Sequence, residues 1–235
     1  MTTIPEEAFP DPVVRAAAQA IAEDDFAAQI RVAAQAGKLD YVGPEGDTLL
    51  LVAILADNAE AVSALLQLGA NPNLPQGKAP VGVAVSVASF DVVQALVEAR
   101  ADANGRVGSE TAIWRAALSN RRDVVSLLLQ QGAAIDTAND AGETPAIAAA
   151  QAGHFSMAGS LIQSGASPFA VPDSGMTLAF WANRSRLPDD SDEGRAKNQM
   201  IQMLKDRGHP WPPPGPQEVL AMQAAGEWPP RGARQ

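Results

Sequence analysis

Two histidines, one cluster of acids and two glycine-bearing loops are the places where this chain could do chemistry. The cluster is "RSRLPDDSDEG", in which Asp189, Asp190, Asp192 and Glu193 fall close together. Read as a calcium loop from Asp189, it has Gly194 at the sixth position but Met200 at the twelfth, where a bidentate glutamate is required. Arg184, Arg186, Arg195 and Lys197 balance its charge, and the acids can instead cap a helix that begins near Glu193. His154 stands in "QAGHF", a turn between helices, and His209 lies in a loop between Gly208 and Pro210. No Ser-His-Asp constellation is evident, and the absence of cysteine removes thiol nucleophiles, zinc–thiolate sites and disulfides. "GPEGDT" (43–48) and "GRVGSET" (105–111) lack the phosphate-loop pattern and read as connections. Glu60, Asp91 and Asp123 precede second helices, where a carboxylate complements the helix dipole. A carboxylate-dependent enzyme would need a buried acid cluster in a closed cleft. The chain is therefore read as a non-enzyme, with no cofactor and no metal.

The elements that must position any surface chemistry follow from composition and period. With 46% apolar residues over 235 positions, the chain can bury a sizeable core. Its formal charge of −10, with no Lys/Arg run, repels phosphates and disfavours nucleic acid or an anionic membrane as partner. "MTTIPEEAFPDP" has no apolar segment of a signal peptide, and runs such as "TLLLVAILA" are too short to span a bilayer. The expected location is cytoplasmic, or periplasmic if a signal peptide was removed before residue 1.

A repeat governs the rest. "LLQLGANPN", "LVEARADAN", "LLLQQGAAID" and "LIQSGASPF" place Gly69, Arg100, Gly132 and Gly165 at nearly equal spacing, each interval one longer than the last. A second anchor precedes each, at Thr48, Ala79, Thr111 and Thr144, always by the same offset. Within each block the apolar spacing is helical, with a capping Thr, a short helix, a tight turn and a second helix. A fixed block with variable connections is the behaviour of stacked helix pairs. The last block, Thr177 to Gly208, is longer than the others by ten, an insertion that predicts a protruding loop. Removing 187–194 is expected to leave the fold intact.

"GETPAIAAAQAGH" (142–154), with the "LLLQQGAAID" endings, resembles the ankyrin repeat. The resemblance implies an all-α solenoid of about six helix pairs in one domain over 1–235. The units are a degenerate repeat at 11–43, repeats at 46–73, 77–104, 109–136 and 142–168, and a last repeat at 175–210. A Pro-rich strap and capping helix follow at 211–235, with Val219, Leu220 and Met222 covering the last repeat. Ala79 replaces the usual Thr, and Leu51, Gly82, Trp114, Ile147 and Phe180 replace the usual His. The polar network between units is therefore expected to give way to apolar packing, with irregular stacking around Gly82.

The resemblance further implies binding of another protein through the concave face and loop tips. Carried over position by position, the partner-binding residues are Glu110, Arg115, Leu118, Asp140, Glu143, Gln151, Met176, Trp181 and Arg184. Trp114 is added as an aromatic that core packing also explains, and Asp189 and Asp190 as the tip of the insertion. "DPVVRAAAQAIAEDD" and "GHPWPPPGPQEV" look like stand-alone bacterial ankyrin proteins that accompany secreted lipase toxins of the type VI system. That likeness implies an immunity protein, or inhibitor, that neutralises a toxin enzyme. A general cytoplasmic scaffold or regulatory subunit is the alternative.

Overall fold

The computed structural model describes residues 4–230 and 232–233, so the tips of the chain and of the 211–235 segment lie outside the described residues. The chain divides into two compact units, Met1–Ala112 with Ser126–Ala133, and Ile113–Val125 with Ala134–Gln235. No helix among the described residues is long and apolar enough to cross a membrane.

The first unit is built from helix pairs: α1 (Pro12–Ala22) with α2 (Ala27–Gln35), α3 (Leu49–Leu55) with α4 (Ala59–Gln67), and α5 (Pro80–Val87) with α6 (Phe90–Glu98). First helices α1, α3 and α5 stack in one row, and second helices α2, α4 and α6 in another. Leu49, Leu50, Leu51 and Ile54 of α3, and Val62 and Leu65 of α4, are almost wholly buried. Burying each such side chain contributes about 1.5–3 kcal/mol. The starts are set by caps: the Asp11 carboxylate accepts from the backbone N–H groups of Val13 and Val14, and the Thr48 hydroxyl from Leu51 at 3.2 Å. Ala79 has no side-chain cap to offer α5.

A hairpin after α6 explains Gly82. Arg106–Val107 (β1) and Glu110–Thr111 (β2) form a two-stranded antiparallel pair, with Arg106 opposite Thr111. The Ala79 N–H donates to the Arg106 carbonyl at 2.9 Å. A Cβ on Gly82 would lie 2.8 Å from Val107 Cγ2, and one on Gly105 would lie 2.7 Å from the Ala79 Cβ. The two glycines therefore let hairpin and helix approach closely, and the connection "GRVGSET" is an ordered hairpin.

The fourth pair, α7 (Ala112–Leu118) and α8 (Arg122–Gln130), has its residues divided between the units. In the second unit α9 (Pro145–Gln151) pairs with α10 (Phe155–Gln163), and α11 (Leu178–Arg184) with α12 (Asp192–Asp206); α13 (Pro216–Ala224) closes the chain. Thr144 and Thr177 cap their helices through Ile147 and Phe180. The extra length of the last repeat is not all loop. The connection from α11 to α12 is longer than that from α9 to α10, and α12 has 15 residues where α10 has 9.

The inserted segment is tied in. Ser191 caps α12 through the Gly194 N–H at 3.0 Å. A Cβ on Gly194 would lie 1.8 Å from the Pro188 carbonyl oxygen. Lys197, only 7% exposed, donates to Asp189 at 3.2 Å and to the Leu187 carbonyl at 3.3 Å. These contacts argue against the expectation that 187–194 can be removed with the fold intact.

Polar links between successive repeats are present beside the apolar packing, made by other residues than the replaced Thr and His positions. They run through the loops. Asp40 accepts from the Asn71 N–H at 2.7 Å, Asn73 from Asp102 at 2.7 Å, and Asp57 from Ser89 at 2.7 Å. In the second unit both Asp136 oxygens accept from the Ser167 N–H at 3.0 Å, while burial pushes that carboxyl above the usual range.

The strap is clasped by aromatics. The His209 ring stacks on Phe169 at 5.5 Å with planes 6° apart, and Trp228 meets both rings edge-on. Trp228 Nε1 donates to the Phe169 carbonyl at 2.9 Å. Val219 is fully buried, Leu220 and Met222 half-buried.

Candidate protein-binding site

Gln151 and Arg184 stand at the same register, each at the end of a first helix that opens on a capping threonine, Thr144 or Thr177. Equal registers on neighbouring helices meet when the helices stack, and α9 packs against α11. The result is an open pocket of about 200 Å³ lined by Ala150, Gln151, Gly153, Phe155, Trp181, Arg184 and Ser185. Three residues chosen from sequence, Gln151, Trp181 and Arg184, therefore converge. Gly153, at φ +84°, makes the sharp turn after α9, where a left-handed backbone favours glycine.

The pocket is rich in donors and has no acid in its lining. Trp181, which lines the pocket, meets Phe180 edge-on at 5.5 Å. Its Nε1–H is covered and has no acceptor among the described residues. Leaving such a group unsatisfied costs about 1–3 kcal/mol. Arg184 and Gln151 are exposed.

The other sequence candidates are spread more widely. Glu110 lies in strand β2, in the first unit, and is half-buried. Trp114 is buried at 5% exposure, so it acts by packing, while Arg115 and Leu118 of α7 are half-buried. Asp140 is exposed in the turn before α9. Glu143 accepts from Asn139 Nδ2 at 2.9 Å, and its own N–H donates to Asn139 Oδ1 at 2.9 Å, which closes that loop. Met176 is half-buried in the loop before α11, its N–H donating to the Ser174 hydroxyl at 3.3 Å. Asp189 is engaged by Asn198 and Lys197, which hold its carboxyl below the usual carboxylate range. Asp190 is exposed, and its carbonyl accepts from the Arg195 guanidinium.

Sequence reasoning missed what holds α10. The Glu193 carboxylate caps its first turn through Ser156, and the Arg207 guanidinium donates to the Ile162 carbonyl at 3.2 and 3.3 Å near its last turn. The missing signal was local: His154, at the N-cap, makes no side-chain cap bond, so the helix needed a cap from elsewhere. Among the described residues no carboxylate is fully buried, and no group of three His, Cys, Asp or Glu could hold a metal ion.

Comparison with known proteins fits this geometry. Residues 83–171 match the family model described as ankyrin repeats in three copies, and residues 45–75 match the single ankyrin repeat; together they cover just over half of the chain. Among solved structures, the chain is similar to the ankyrin repeat domain of Bcl-3, described as a unique member of the IkappaB protein family. The identity is 23% and the TM-score 0.69, over 89% of this chain and 93% of that one. No curated protein matches the chain.

Proposed function

Because this chain belongs to the ankyrin-repeat family, whose repeats are protein–protein interaction modules, we propose that it works by binding another protein through the first-helix face and loop tips of its second unit. The observation that carries this is the convergence of Gln151, Trp181 and Arg184 on one open pocket, with the Trp181 N–H lacking an acceptor. Rigid, packed helices present the exposed Gln151 and Arg184 without the entropic cost of ordering a loop. Tryptophan and arginine are also the residue types that dominate binding hot spots.

The finer reading is an inhibitor: an immunity protein that neutralises a secreted bacterial toxin, such as a lipase, by occluding it. Its support is the likeness of "DPVVRAAAQAIAEDD" and "GHPWPPPGPQEV" to stand-alone bacterial ankyrin proteins of that kind. The test is affinity capture from the native cell with the full chain, alongside the double substitution Trp181→Ala and Arg115→Ala. Capture that falls at least tenfold while the circular dichroism spectrum is unchanged supports the groove, whereas undiminished capture removes it. Co-expression with a captured toxin should then rescue growth. A stable complex without rescue makes the chain a scaffold.

A further inference from the structure

We propose that the pocket between α9 and α11 is a receptor for a single carboxylate, an Asp or Glu side chain on an exposed loop of the partner protein. The inference rests on the groove reading above and names the chemistry of its centre. The pocket's donors, their missing partners, the surrounding charge and the pocket's size carry it.

The pocket's polar side chains that can act as strong donors are Arg184, Gln151 and the Trp181 indole, and its remaining lining is small or apolar. Among the described residues neither the Arg184 nor the Gln151 side chain makes a hydrogen bond or ion pair, and Trp181 Nε1 lacks an acceptor. Of the four acids that follow in sequence, Asp189 is engaged by Lys197 and Asn198, Asp192 by Arg195, and Glu193 by Ser156, while Asp190 is exposed. Arg186, two positions on, is exposed, and its side chain likewise makes no hydrogen bond or ion pair among the described residues. In a chain of net charge −10, this is a spot where positive charge is left unanswered.

The size argues for one side chain. A volume of about 200 Å³ is below the range of roughly 300–1,000 Å³ typical of pockets for cofactors and drug-sized ligands. A planar guanidinium binds a carboxylate through two parallel N–H···O bonds, and the Gln151 amide can add a third donor. The Trp181 N–H is covered, so it reaches the carboxylate only if the ring turns as the ligand enters. That turn moves the indole, which provides a spectroscopic signal.

The experiment titrates the full chain with a Glu-containing decapeptide, acetylated and amidated so that only side-chain carboxylates are present. Its Gln counterpart and free acetate are the controls. Nitrogen-15 spectra follow the Trp181 indole N–H and the Arg184 Nε–H. Saturable shifts of both are expected with the Glu peptide, none with the Gln peptide, and affinity about tenfold weaker in Arg184→Gln. Arg184→Lys, which keeps charge but loses the planar fork, should fall between. No saturable shift, equal shifts with the Gln peptide, or affinity unchanged in Arg184→Gln overturns the proposal. So does acetate binding as tightly as the peptide, which makes the pocket a small-anion site. If the double substitution at Trp181 and Arg115 abolishes partner capture while these titrations fail, the carboxylate chemistry is wrong and the groove reading stands.

Discussion

The carboxylate of Glu193 accepts from both the backbone N–H of Ser156, at 2.8 Å, and the Ser156 hydroxyl. One helix thereby supplies the cap that its neighbour cannot make, from far along the sequence. Charge-assisted caps of this kind contribute about 1–2 kcal/mol. Glu193→Ala should lower the unfolding free energy by about that amount, read from urea midpoints, with Glu193→Gln intermediate. Deleting 187–194 removes this cap, the Ser191 cap and the Asp189–Lys197 link together. It should cost several times more than the point change, and a deletion as stable as the parent chain would show that α12 is held by its apolar face alone.

Arg100 stands where every other complete repeat has a glycine, and it adopts φ +63°. Gly37, Gly69, Gly132, Gly165 and Gly208 all share the left-handed backbone at that place. A side chain there costs about 1–2 kcal/mol, partly offset by the greater freedom of an unfolded glycine. Arg100→Gly should therefore stabilise the chain by about 0.5–1 kcal/mol, seen as a higher thermal midpoint. An unchanged or lower midpoint would mean that the arginine makes a compensating contact.

His209 gives the strap a pH dependence. The residue is 4% exposed, and burial holds its pKa below the ordinary histidine value. Nδ1–H donates to the Pro210 carbonyl at 3.1 Å, and Nε2 is covered with no partner among the described residues. Protonating Nε2 would bury an unpaired N–H and a charge. The unfolded chain takes up that proton first, so stability is complete above the unfolded pKa of about 6.5 and declines as pH falls towards the lower folded value. Urea midpoints should drop between pH 7.5 and 5.5, and His209→Phe should flatten that slope while keeping the stack on Phe169. An equal slope in the variant would assign the effect to other groups.

A side chain at Gly82 should destabilise the chain while Val107 is in place. The Cβ of Gly82→Ala would meet Val107 Cγ2 at 2.8 Å, so the Val107 side chain, α5 or the hairpin must shift. Overpacking of this kind costs about 1–3 kcal/mol, although alanine's helix propensity returns about 1. Gly82→Ala with Val107→Ala should recover the loss, because the second change makes room. Hydrogen exchange of the Ala79 N–H, which donates to Arg106, reports on the hairpin directly.

The repeat, the helix pairs and the capping threonines were legible in sequence because each rests on short-range spacing, either the constant offset from cap to glycine or the turn of a helix. Gln151, Trp181 and Arg184 were named from the family resemblance as partner-binding positions, but their meeting around one pocket depends on the packing of α9 against α11. The Glu193–Ser156 cap and the His209–Phe169–Trp228 clasp were not legible, because they join residues whose separation follows no repeat. Gly82 read as a weakness in a helix. Only the position of Val107 shows that the missing side chain is what the packing requires.

The loop ties have a consequence for how such a chain could grow. Asp40 fixes the backbone of Asn71, Asn73 that of Asp102, and Asp136 that of Ser167, each across about one repeat. At these three joints one block supplies the acceptor that its successor's amide needs. A block copied between two such joints would meet its neighbours with the same donor and acceptor. Lineages that gain or lose a copy would inherit a finished joint, leaving the pocket-lining positions of the first helices free to diverge.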